Sequence, residues 1–164
     1  MIFVTVGTHE QPFNRLIEKM DYLVKSGAVR EKVIAQIGYC TYTPKCIEYF
    51  RFTDFEKMDR FFDKANFLIT HGGIGSLLLA LKKNKKIIAV PRMKKYNEHT
   101  NDHQVQIVKE LENQKRIVAV YDIDDLLYAI KKIKNTSFNY RPESDATVIT
   151  KIRDILAKWE KNLT

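Results

Sequence analysis

The sequence has 164 residues, 45% of them hydrophobic, with only six glycines and four prolines, which suits one packed domain and excludes a disordered or linker-rich array. Its 28 basic and 20 acidic side chains give a formal net charge of +8. That balance fits anionic partners (phosphorylated small molecules, nucleic acid or an acidic membrane face), but lysines that only solvate helix surfaces give the same figure, so charge alone selects none of them.

Taken in chain order, apolar periodicity alternates between strand-like and helix-like segments. Ile2–Val6 is a β-branched run that ends at Gly7. Phe13, Leu16, Ile17, Met20, Leu23 and Val24 then recur at helical spacing, with Pro12 suited to the first turn. Val33–Ile37 predicts a second strand and Ile47–Phe52 a third. Cys40 and Cys46 lie between them with no zinc spacing nearby, so neither a disulfide framework nor a metal site is expected. Thr53 followed by Glu56 has the spacing of a capping box, ahead of a helix face formed by Phe55, Met58, Phe62 and Ala65.

Phe67–Thr70 predicts a fourth strand, and a helix is expected over 75–83. Lys86–Val90 follows as a strand closed by Pro91, then a helix near 101–113, a strand over Ile117–Tyr121 and a helix capped by Asp122. Alternation of this kind predicts an α/β domain, Rossmann-like, with a largely parallel sheet and helices on both faces, over residues 1–142. The remainder, 143–164, carries Val148, Ile152, Ile155, Trp159 and Leu163 on one stripe. It predicts a C-terminal amphipathic helix of the same domain, packed on the sheet or docked on a partner. No leader-like segment opens the chain and no window approaches ~18 apolar residues, so a soluble, cytoplasmic protein is expected.

Three loops carry candidate chemistry. The first is Thr70-His71-Gly72-Gly73-Ile74-Gly75-Ser76, between a strand and a helix. Glycines there let a ligand approach the backbone, and the helix start offers free N–H groups and a positive dipole end, which together suit a diphosphate. It is neither a Walker A loop nor the dinucleotide fingerprint, since Leu78 stands where a third glycine would fall. A tight structural turn explains the same glycines.

The second loop is Gly7-Thr8-His9-Glu10, after the first strand. Ligands of open α/β sheets bind where strand order reverses, which would bring Gly7 and Thr8 beside Gly72 and Gly73, with His9 in reach of phosphate or acceptor. The third is Pro91 to Gln104, crowded with hydrogen-bonding side chains that suit a hydroxyl-rich ligand. Asn101 and Gln104 also have the spacing of a helix cap and its reciprocal partner, which leaves Glu98 and His103 to be explained.

With these loops in view, the sequence resembles the C-terminal, donor-binding domain of glycosyltransferase family 28, the second half of a GT-B fold. The likeness rests on Phe3-Val4-Thr5-Val6-Gly7-Thr8-His9-Glu10, on the 70–76 loop, and on Lys94-Lys95-Tyr96-Asn97-Glu98-His99 with Asn101-Asp102-His103-Gln104. Small bacterial capsular and exopolysaccharide subunits of that group look most alike, with the dolichol-pathway UDP-GlcNAc transferase subunit more distant. The resemblance implies a UDP-sugar donor, UDP-GlcNAc or UDP-galactose, held by His71, Gly72, Gly73, Gly75 and Ser76 beside Gly7 and Thr8. Asp102, His103 and Gln104 would meet the sugar hydroxyls. Where the family often places an acidic residue for the ribose, this chain has Leu79, and Glu98 is the nearest substitute.

The resemblance further implies metal-free chemistry with no cofactor, and no Asp-x-Asp pair is expected. It implies a membrane-anchored partner subunit that binds a lipid-linked saccharide acceptor and supplies the main catalytic base, with His9 the candidate in this chain. On that view the protein sits at the inner face of the cell membrane through its partner. It does not bind nucleic acid, since basic and aromatic residues are not interleaved. A non-catalytic activator of a transferase subunit stays open as the alternative.

Overall fold

The computed structural model describes residues 1–136, together with Thr150 and Ala157. Among them are six strands: β1 (Ile2–Thr5), β2 (Val33–Gln36), β3 (Glu48–Phe50), β4 (Phe67–Thr70), β5 (Lys86–Ala89) and β6 (Val118–Ala119). Every pairing is parallel and the order is β3-β2-β1-β4-β5-β6. The helices are α1 (Asn14–Lys25), α2 (Phe55–Lys64), α3 (Ile74–Lys82), α4 (His103–Asn113) and α5 (Leu126–Asn135). The α/β architecture expected from the alternating periods is therefore the one found. The expected boundary at 142 lies outside the described residues, as does the expected helix over 143–164 apart from Thr150 and Ala157.

Parallel strands covered on both faces need apolar side chains on both, which is why β1 and β4 are buried along their whole length. One face packs Ile2 and Val4 on Leu16, Ile17 and Met20 of α1 and on Ala129, Ile130 and Ile133 of α5. The other packs Phe3, Leu68 and Ile87 on Phe62 of α2, Leu77 of α3 and Val108 and Leu111 of α4. Phe3 stacks on Phe61 at 5.1 Å between centroids and meets Phe62 edge-on at 5.7 Å. Its truncation to alanine would cost about 3–5 kcal/mol.

Helix ends differ from the sequence expectation in two places. Asp54, not Thr53, caps α2, its carboxylate accepting from the Lys57 amide. Phe55 therefore enters the first turn 73% exposed instead of facing the core. Asp122 accepts from the Asp124 amide and caps a short 3-10 turn that precedes α5, not α5 itself. At the far ends of α3 and α4 the chain leaves through Asn84 and Lys115 in the left-handed region, with the Arg116 amide bonding back to the Leu111 carbonyl. The strand expected over Ile117–Tyr121 shrinks to Val118 and Ala119, at the sheet edge.

Candidate functional site

Strand order reverses between β1 and β4, so the turns that follow them leave the sheet side by side. Gly7 has φ of 77° and both its backbone groups are tied to Gln36. Its amide donates to Gln36 Oε1 at 3.1 Å, and its carbonyl accepts from Gln36 Nε2 at 2.9 Å. Thr5 Oγ1 donates to the same Gln36 Oε1 at 2.7 Å. Gln36 thus fixes the β1 turn, a role that nothing local in the second strand announces.

His71 lies between the two turns. A β-carbon at Gly7 would come within 2.4 Å of His71 Nε2, and one at Gly73 within 2.2 Å. The glycines are required by an imidazole as much as by any ligand. Burial holds the His71 pKa down to about 3, helped by the positive charge of Arg92, so the ring is neutral at physiological pH. Gly75 has open space around its α-carbon. It stands in the first turn of α3, whose N-cap is Gly73 with no side-chain cap bond, which leaves the first amides at the positive end of the helix without a side-chain partner.

These turns open into a cleft of about 410 Å³. Its polar side is Thr5, Gly7, Thr8, His71, Gly73, Gly75 and Ser76; its apolar side is Phe55, Met58, Phe62 and Leu79. Six of the residues expected to hold a donor therefore come together: Gly7, Thr8, His71, Gly73, Gly75 and Ser76. A slightly larger hollow of about 480 Å³ runs beside β6, between α4 and α5, but no glycine turn and no histidine opens into it.

The other expected residues are placed differently. Gly72 packs under Gln104 and donates its amide to Gln104 Oε1 at 3.1 Å. Gln104 is buried and its oxygen also accepts from the Arg92 amide at 3.1 Å, so it neither caps α4 nor faces the cleft. Glu98 does not line the cleft either. Its carboxylate takes two bonds from Arg15 at 2.9 Å and one from the Met93 amide at 3.1 Å. Asp102 accepts from the Lys94 amide at 2.9 Å and stands exposed ahead of α4. His103 opens that helix, its amide held by Asn101 Oδ1 at 3.1 Å.

The unforeseen centre of this network is Arg92, 1% exposed. It donates to the carbonyls of Val6 at 2.8 Å, Gln11 at 2.5 Å and Glu98 at 2.9 Å, and its guanidinium lies over Phe13 at 5.0 Å. One side chain thereby binds the loop after β1 to the loop after β5. Nearby, His9 and His99 come into contact, their ring centroids 4.4 Å apart. His9 Nδ1 accepts from the Gln11 amide at 3.2 Å, so the neutral ring carries its proton on Nε2. That arrangement leaves Nε2 as the ring's donor.

One Asp-x-Asp triplet does occur, Asp122-Ile123-Asp124. Its first carboxylate caps the 3-10 turn and its second pairs with Lys19 at 2.6 Å. Among the described residues no group of three or more His, Cys, Asp or Glu side chains could hold a metal ion, and no helix is long and apolar enough to cross a membrane.

Set beside known proteins, residues 1–158 match the profile of the glycosyltransferase family 28 C-terminal domain. The human "UDP-N-acetylglucosamine transferase subunit ALG13" is 32% identical over 124 residues, which is 69% of this chain and 10% of that protein. The chain thus spans about a tenth of the length of this curated relative. Among solved structures, the glycotransferase of kitacinnamycin superposes with a TM-score of 0.62 at 14% identity, over 95% of this chain and 39% of that one. The solution structure of ALG13 superposes with a TM-score of 0.57 at 17% identity, over 86% of this chain and 88% of that one. At such identities these structures speak for the shared fold.

Proposed function

The chain belongs to the glycosyltransferase family 28 C-terminal domains, and from that premise we propose that it is the UDP-sugar-binding subunit of a two-component hexosyltransferase. The observation that carries this reading is the cleft at the β1–β4 switch point, with glycine turns and an uncapped helix start on one wall and apolar side chains on the other. The donor diphosphate lies against Gly73, Gly75, Ser76 and Thr8. The nucleoside rests on the wall of Phe55, Met58 and Leu79. The sugar points toward Asp102 and His103 at the start of α4. The leaving diphosphate is stabilised by the α3 amides and dipole, aimed at charge that develops as the glycosidic bond breaks.

The acceptor hydroxyl needs a base, and His9 is held as a donor. The base therefore comes from a membrane-anchored partner subunit that binds a lipid-linked saccharide acceptor, in cell-surface polysaccharide synthesis at the inner membrane face. UDP-GlcNAc is the first donor to try, because the human relative is named a subunit of a UDP-N-acetylglucosamine transferase; UDP-galactose is the second. Leu79 in the cleft wall, where an acidic side chain would grip a ribose, favours one other reading, a non-catalytic activator of the partner.

Calorimetric titration with UDP, UDP-GlcNAc and UDP-galactose separates the two. Saturable binding of a UDP-sugar is expected, with transfer to a lipid acceptor only when the partner subunit is added. No affinity for any of the three would leave the activator reading, and transfer by the isolated chain would overturn the two-subunit scheme.

A further inference from the structure

All four histidines of the sequence gather at the carboxyl end of the sheet, and two of them form a matched pair outside the donor cleft. His9 sits on the loop after β1 and His99 on the loop after β5. Each makes the same local bond: His9 Nδ1 accepts from the amide of Gln11, and His99 Nδ1 from the amide of Asn101 at 3.3 Å. In a neutral imidazole the nitrogen that accepts is the one without the proton, so both rings carry N–H on Nε2. Among the described residues no hydrogen bond takes His9 Nε2, and the Asn101 side chain lies beside the His99 ring. Burial, with the positive charge of Arg92 nearby, keeps the His99 ring below its ordinary value and therefore neutral at physiological pH.

Two rings 4.4 Å between centroids, on separate loops, thus present two N–H donors of fixed tautomer. The loops cannot drift apart without breaking Arg92, which holds the Gln11 and Glu98 carbonyls, the neighbours of the two histidine turns. The carboxylate nearest in sequence to His99, Glu98, is already neutralised by Arg15. What remains is a half-buried, preorganised pair of donors with positive charge behind it.

The geometry points to a second anion subsite, in which His9 and His99 bind a phosphate or diphosphate other than that of the sugar nucleotide. In the two-component transferase proposed above, on which this assignment rests, that group is the diphosphate of the lipid-linked acceptor. Neither ring lines the donor cleft, whereas His71 does. An acceptor diphosphate held there stands next to the donor without competing for the α3 amides.

The test uses the full chain saturated with UDP. Pyrophosphate and, separately, farnesyl diphosphate are titrated in, while side-chain nitrogen NMR follows the histidines. Both probes are expected to bind without displacing UDP and to shift the Nε2 signals of His9 and His99. His9→Phe and His99→Phe keep the ring contact and delete the donors; each should weaken pyrophosphate about tenfold and change UDP affinity less than twofold. His99→Gln, which restores an N–H, should recover part of the loss. If pyrophosphate binds only by displacing UDP, or if the phenylalanine variants weaken UDP equally, the pair serves the donor and the second subsite is overturned. Unchanged pyrophosphate affinity in both variants overturns it too. Should the chain fail to bind UDP, pyrophosphate titrated alone still reads the histidine pair, so failure of the donor reading and of this one are told apart.

Discussion

The two ends of the sheet are built on opposite electrostatic plans. The amino end comprises the last turn of each helix, the loops leading from helix to strand and the first residue of each strand. It carries twelve basic and five acidic side chains, against eleven of each in the rest of residues 1–136. Lys25, Lys64, Lys82 and Lys132 stand in last turns, where the negative ends of helix dipoles attract cations. The carboxyl end has no such surplus, yet it holds the cleft, the four histidines and the buried guanidinium of Arg92. The charge of +8 that the sequence offers as a sign of anionic partners therefore sits mostly away from the candidate site. On the proposed reading, attraction for phosphate at the cleft comes from backbone amides and the α3 dipole.

That contrast breaks most sharply at Gly7. Gly7→Ala puts a β-carbon into the His71 ring at a backbone angle that disfavours it, and should cost about 2–3 kcal/mol of stability and abolish measurable UDP binding. Gly75→Ala, in the first turn of α3 with open space where the β-carbon would stand, should hold or raise stability by up to about 1 kcal/mol. Denaturant unfolding and calorimetry on the pair read both effects. Equal destabilisation would mean that the His71 sandwich does not set the cost.

Acid tests the carboxyl end in the next smaller measure. His71 folds with its pKa depressed from an ordinary 6.5 to about 3. Its contribution is fully present above about 6.5 and is lost as pH falls toward 3, because the unfolded chain takes up a proton that the native ring refuses. Stability should drop by about 2 kcal/mol from pH 7 to pH 5, and a His71→Gln variant should lose less over the same range. Parallel curves for the two proteins would remove His71 as the source.

The smallest effect belongs to the amino end. Lys64→Gln and Lys82→Gln each delete a cation from the last turn of a helix, and each should cost about 0.3–0.5 kcal/mol, fading in salt, with UDP affinity unchanged. A clear loss of UDP affinity from either would show that the basic end reaches the cleft after all.

How much of this was legible in the sequence depends on range. Apolar runs such as Ile2–Thr5 and Phe67–Thr70, and the glycine turn that follows the second, are local signals, and they located the sheet and the cleft. Gln104 was not legible. Its spacing from Asn101 copies a helix cap, while its carbonyl oxygen is spent on Gly72, 32 residues away, and on Arg92. Glu98 finds Arg15 across 83 residues, and Gln36 reaches Gly7 across 29. Such ties are set by which strands become neighbours, and a spacing rule cannot see them. Asp54 shows the opposite limit: two residues able to cap stand side by side, and only the backbone path decides between them.

The pairing of β1 with β4 also has a temporal meaning. Ile2 meets Phe67 across 65 residues of chain, and the Arg92 ties lie further on still. Closing so long a loop carries an entropic cost that the local helix contacts do not. On a ribosome the lining of the cleft is incomplete until α3 has emerged, because that lining runs from Thr5 to Leu79. A ligand for the cleft thus reports on the whole sheet, and its presence during refolding should raise the yield of native protein without speeding the first collapse.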